Sequence, residues 1–170
     1  MFKRLRLRIR DMKTISRLIS EADKQAHKNG EDEPGAEHFL LSALLLSDGT
    51  ARRVFERVGA NPEQFQIAIK KQYSDALDAI GVDAAIVVEE PEPVTSNRMF
   101  HNSKPSGQAV MKSLYELKSH DKDTPLLGAH VIDVVAKMKH GVAARSFKAM
   151  GIDRESILAA VKDELDSLRC

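Results

Sequence analysis

The side chains able to do chemistry in this 170-residue chain are few and scattered. His27, His38, His101, His120, His130 and His140 form no H-E-x-x-H pair, and Cys170 is the only cysteine. Zinc needs closely spaced imidazole or thiolate ligands, so no metal site is expected, and a lone thiol excludes an intrachain disulfide. No G-x-x-x-x-G-K-[ST] loop is present to cradle a nucleotide phosphate, and no nucleophile elbow or Ser-His-acid set can be argued. Catalysis therefore has no visible carrier. The expectation is a protein that is not an enzyme and takes no cofactor.

The strong charge asymmetry is at the beginning, where Lys3, Arg4, Arg6, Arg8, Arg10 and Lys13 face Asp11 alone. The five cations from Lys3 to Arg10 are enough to neutralise several phosphates of a nucleic acid, which would give salt-steep, sequence-independent binding. Against that, only Phe2 is at hand to stack on a base, and no nucleic-acid motif follows. The 26 basic and 25 acidic residues nearly cancel over the whole chain. A solvated helix face, or docking onto an acidic protein surface, is the favoured reading, with nucleic acid or another anionic surface as the alternative.

The elements that must position these residues come from a repeat. Shifting the numbering by 92 places His38 on His130, Gly49 on Gly141, Arg53 on Arg145, Phe55 on Phe147 and Gly59 on Gly151 without a gap. Similarity at a fixed period means one supersecondary unit built twice, each copy completed by packing on the other. With 42% apolar residues the chain is long enough to close a core. No stretch approaches the roughly 18 apolar residues needed to cross a bilayer, and no signal-peptide run follows the basic start. A cytoplasmic protein without a membrane partner is expected.

Within the first copy, helical spacing of Ile15, Leu18, Ile19, Ala22 and Ala26 predicts a helix over about 11–28 or from an earlier start, while basic and apolar residues alternate at strand period between Arg4 and Arg10. The N-G-E-D-E-P-G stretch at 29–35 must stop that helix. Helices are expected at 36–46 and 50–58, the latter closed by Gly59 in a left-handed conformation. Asn61, Pro62 and Gln64 then supply an N-cap, a proline at the first helical position and the far side of a capping box. The helix that follows should bury Phe65, Ala68, Ile69, Tyr73, Ala76, Leu77 and Ile80. Residues 82–104, with Glu89, Glu90, Pro91, Glu92 and Pro93, read as a linker. The second copy repeats the plan at 105–119, 126–138, 142–150 and 153–168, the last with Asp153 as N-cap. One module over 1–170 results, with repeats at 11–81 and 105–170 and eight helices in all.

The segments G-T-A-R-R-V-F-E-R-V-G at 49–59 and G-V-A-A-R-S-F-K-A-M-G at 141–151, with G-A-E-H-F-L-L at 35–41, resemble the doubled N-terminal domain of the Clp unfoldase ATPases, and the opening M-F-K-R resembles ClpC-type members. The resemblance implies an all-α, pseudo-twofold module that binds proteins or peptides and works with a Clp ATPase, its adaptors or its substrates. It also implies a free-standing monomer without the motor. In ClpC-type domains each half holds a phosphorylated arginine through a glutamate and a threonine, the carboxylate forking onto the guanidinium. Glu37 matches the first glutamate, and the threonine position falls on or near Arg8. Arg8 would then either clamp the phosphate or pair with Glu37, and Glu37 has the simpler reading of an acidic residue at a helix start. In the second half Ala129 and Lys104 occupy the two positions, so that pocket is expected to be lost.

Overall fold

The computed structural model describes residues 2–81 and 103–169. The expected linker therefore lies outside the described residues except at 103 and 104, as does His101. Among the described residues the chain forms eight helices and no strand: α1 (Phe2–Lys28), α2 (Ala36–Leu44), α3 (Thr50–Arg57), α4 (Pro62–Ala79), α5 (Pro105–His120), α6 (Gly128–Lys137), α7 (Val142–Ala149) and α8 (Arg154–Ser167).

Local signals set most boundaries. Gln64 N–H donates to Asn61 Oδ1 at 2.8 Å while Gln64 Oε1 accepts from Asn61 N–H at 3.4 Å, so the capping box forms around Pro62. Asp153 Oδ2 accepts from Ser156 N–H at 3.1 Å at the start of α8. Gly59 and Gly151, both at φ 70°, end α3 and α7 with the left-handed turn that a residue bearing a Cβ resists.

At the start of the chain the first helix takes the earlier of the two expected starts. α1 begins at Phe2, so the alternating segment from Arg4 to Arg10 is helical. Arginine, lysine and leucine are good helix formers, no breaker precedes Gly30, and a period-two pattern becomes a strand only where a neighbouring strand takes its hydrogen bonds. The outer turns of α4 differ from expectation, since Ala76 and Ile80 are exposed. α4 lies on α7, and its 18 residues reach about 27 Å against about 12 Å for the eight of α7, so its last turns have nothing to cover them.

The two repeats share one core. α4 of the first packs on α7 of the second, α8 of the second packs on α3 of the first, and the equivalent helices α2 and α6 meet at the centre. The repeat mates Phe55 and Phe147 touch across this junction, ring centroids 6.3 Å apart, and Phe65 stacks on Phe147 at 5.1 Å. Each such ring stabilises the pair by roughly 2–3 kcal/mol through burial alone, so neither repeat keeps its core without the other. α6 comes so close that a Cβ on Gly128 would lie 3.0 Å from Ala43 O and from Ala51 Cβ.

Arg53 and Arg57 on α3 also reach across. Arg53 Nε donates to Glu164 Oε1 on α8 at 2.5 Å, and Arg57 Nη2 donates to Glu164 Oε2 at 3.1 Å. The equivalent pair is Arg145 Nε donating to Gln72 Oε1 at 3.2 Å.

Candidate functional site

The polar groups at the start of α2 draw on both repeats: Ala36 N–H donates to Ser106 Oγ of α5 at 3.2 Å. Glu37 is 3% exposed, and its carboxylate accepts a short hydrogen bond from the Tyr73 hydroxyl of α4. Burial first, then this bond to a carboxylate, pushes the Tyr73 phenol well above its ordinary range, so it stays a donor. His38 is buried beside them, and its Nδ1 accepts from Gly35 N–H at 3.0 Å, completing the helix start. With Nδ1 accepting, the neutral ring carries its proton on Nε2, which lies 3.2 Å from Asn29 Nδ2. Burial, then the nearby Lys104 ammonium, lowers the His38 pKa to about 4, keeping the ring neutral. Lys104, from just before α5, pairs with Glu31 and lies 5.2 Å from the centre of the Tyr73 ring.

The structure does not bring Arg8 and Glu37 together. Glu37 sits at the Lys28 end of α1, next to Asn29, and Arg8 is exposed 20 residues earlier on the same helix, about 30 Å away by helical rise. The residue that the second repeat sends toward Glu37 is instead Lys104. A pairing by offset within one repeat fails because the first helix of each repeat leans on the other repeat's second-helix loop: Lys104 N–H donates to Pro34 O at 3.0 Å, and Leu126 N–H donates to Asp11 Oδ1 at 2.8 Å.

α6 begins differently. Besides the Asp11 contact, Leu127 N–H donates to His130 Nδ1 at 3.0 Å, Gly128 N–H to Asp48 Oδ2 at 3.2 Å and Ala129 N–H to Thr50 Oγ1 at 2.8 Å. A helix N-terminus is a ready anion site. Here the amides from Leu126 to Ala129 are already taken by the protein's own acceptors, and Lys118 balances Asp11 at 3.1 Å. Burial, then the Lys118 charge, holds His130 below its usual pKa as well. The two repeat-mated histidines are thus helix-start acceptors in both copies.

The basic segment is split by its helical geometry. Arg4 Nε pairs with Asp123 Oδ1 at 3.1 Å. Lys3, Arg6, Arg10, Lys13 and Arg17 follow one another at helical spacing along a single stripe. Arg6, Arg10, Lys13 and Arg17 line a groove of about 530 Å³ between α1 and the α2–α3 corner, floored by Ile9, Leu46 and Leu126. Its partner side includes Asp48, already held by Thr50 and Gly128. Sequence reasoning saw the charge but missed the groove, because Lys13 and Arg17 belong to it and Arg4 and Arg8 do not; the i, i+4, i+7, i+11 spacing from Arg6 was the available signal. It also read Tyr73 as core packing, and its hydroxyl partner is invisible without the fold.

Among the described residues no group of three His, Cys, Asp or Glu side chains converges to hold a metal ion, and no helix is long and apolar enough to cross a membrane.

Residues 13–87 match the Clp repeat (R) N-terminal domain family. Similar curated proteins are the chloroplastic chaperone protein ClpC1 of Oryza sativa subsp. japonica, 29% identical over 65 residues, and the chloroplastic chaperone protein ClpC of Pisum sativum, 28% identical over 64 residues. Each match covers 38% of this chain and 7% of the relative, so the chain corresponds to a small part of those proteins. In fold, the N-terminal domain of the caseinolytic protease associated chaperone ClpD from Arabidopsis thaliana is similar over 92% of each chain, with a TM-score of 0.61 at 19% identity. Residues 13–87 thus resemble the Clp repeat (R) N-terminal domain family in sequence, and the described residues of both repeats together have the Clp N-domain fold.

Proposed function

We propose that this chain is a non-catalytic protein- or peptide-binding module that works with a Clp chaperone–protease, as an adaptor, a substrate-recognition element or a decoy. The observation that carries this reading is the correspondence of fold through both repeats, together with the sequence match through the first. The site chemistry agrees with it: the buried polar groups at the starts of α2 and α6 are spent on holding helices, and the open surface is a basic groove. The test is degradation of a reporter by a reconstituted Clp protease with increasing amounts of this protein. An adaptor accelerates the reaction and a decoy slows it. No change at any concentration removes both.

Within this reading Glu37 is a brace for α2 rather than a ligand for phosphoarginine. Its carboxylate is buried against the Tyr73 hydroxyl, and its second-repeat counterpart is Ala129. A phosphoarginine peptide titrated onto the protein should bind no more tightly than the same peptide with plain arginine. A clear preference for the phosphorylated form would restore the pocket.

A further inference from the structure

We infer that the groove between α1 and the α2–α3 corner is a docking site for an extended acidic segment of a partner protein, with apolar residues alternating between its carboxylates. This deepens the protein-binding reading and rests on it. Arg6, Arg10, Lys13 and Arg17 present their charges along one wall. No hydrogen-bond or ion-pair partner holds any of them among the described residues, whereas Arg4, Arg53, Arg57, Lys104 and Lys118 are all engaged. A row of unpaired like charges on one helix face repels itself and is relieved by an opposite charge.

Size and lining select the occupant. From Arg6 to Arg17 the helix rises roughly 16 Å, the span of about five extended residues. Successive cations step by roughly 4.5–6 Å, close to the ~6.6 Å between alternate side chains of an extended chain, so carboxylates on one face of the peptide meet the cations in turn. The residues between them would face Ile9 and Leu126, which make the floor partly apolar. A single-stranded nucleic acid would want a stacking surface, and no aromatic ring among the described residues lines the groove.

The experiment is fluorescence anisotropy on the full chain at low salt, with a short labelled peptide alternating Glu and Leu. The same titration is run with a labelled oligothymidylate and with phosphatidylglycerol vesicles. The peptide should bind most tightly of the three. Arg10→Glu with Lys13→Glu should weaken it roughly tenfold or more. Lys112→Glu with Lys162→Glu makes the same change in net charge at exposed positions outside the groove and should stay within about twofold. Arg10→Gln with Lys13→Gln should fall between them, and it carries the comparison if the reversed variant folds poorly. Equal losses from the two reversed pairs, no peptide binding at low salt, or tighter binding of the oligonucleotide or the vesicles would each overturn the proposal. If the groove variant still alters Clp degradation as the parent does, the groove assignment fails while the Clp reading stands.

Discussion

The starts of α2 and α6 are the same corner of the same unit, built twice with different parts. In the first repeat the corner carries its own acid: Glu37 lies in the opening turn of α2, and Tyr73 of α4 reaches over to donate to it. In the second repeat Ala129 replaces that acid, Leu165 replaces that tyrosine, and the acceptors are imported as Asp11 from α1 and Asp48 with Thr50 from the α2–α3 corner. What both keep is the histidine acceptor one residue later. The helix-start donors are satisfied in both copies, in the first by His38 and by Ser106 Oγ, which accepts from Ala36 N–H at 3.2 Å, and the identity of the acceptor is free.

The largest break in that comparison comes from mixing the two solutions. Ala129→Glu, at a fully buried position with no tyrosine nearby, should cost about 4 kcal/mol or prevent folding, because it buries a carboxylate without a donor. Adding Leu165→Tyr should recover part of that loss in urea denaturation. If the second substitution recovers nothing, the two corners are less equivalent than the repeat suggests.

Acid should come next. His38 is neutral when folded, with a pKa of about 4 against an ordinary 6.5, so below pH 6.5 the unfolded chain binds a proton that the folded chain refuses. Stability is therefore fully present above about pH 6.5 and falls as pH drops toward 4, by about 3 kcal/mol for this group. His38→Gln keeps a capping acceptor at the same helix position and removes the titration, so its stability should be flatter across that window. An unchanged slope would place the acid sensitivity elsewhere. His130→Gln should flatten it in the same direction, since His130 is also held low.

Tyr73→Phe should cost about 2 kcal/mol, measured by thermal or urea unfolding, since the Glu37 carboxylate keeps its burial and loses its donor. The smallest effect is expected at the inter-repeat arginines. Glu164→Gln makes that contact resemble its mate, Arg145 with Gln72, and should cost about 1 kcal/mol. The carboxylate is buried, but Arg53 and Arg57 are 44% and 41% exposed, so water screens much of the charge. Gln72→Glu should return no more than about 0.5 kcal/mol at that exposed mate.

The all-α class and the eight helices were legible because their signals are local. Apolar spacing, the Asn61–Pro62–Gln64 start, the Asp153 cap and the glycines at 59 and 151 each act within a few residues of the chain. The period of 92 added that the unit is made twice. What the sequence did not disclose is who meets whom across the two copies. The lean of each first helix onto the opposite repeat put Lys104 beside Glu37 and Asp11 beside Leu126, and left Arg8 exposed far from Glu37.

The length of α1 was ambiguous for a related reason, since the alternation of Arg4 to Arg10 fits a strand until, among the described residues, no neighbouring strand is there to bond it. Helix existence is written in short-range periodicity and capping, which any stretch of chain carries with it. Side-chain partners, the closing of the Glu37 corner and the basic groove depend on contacts between segments a hundred residues apart, and only the packing of one repeat against the other decides those.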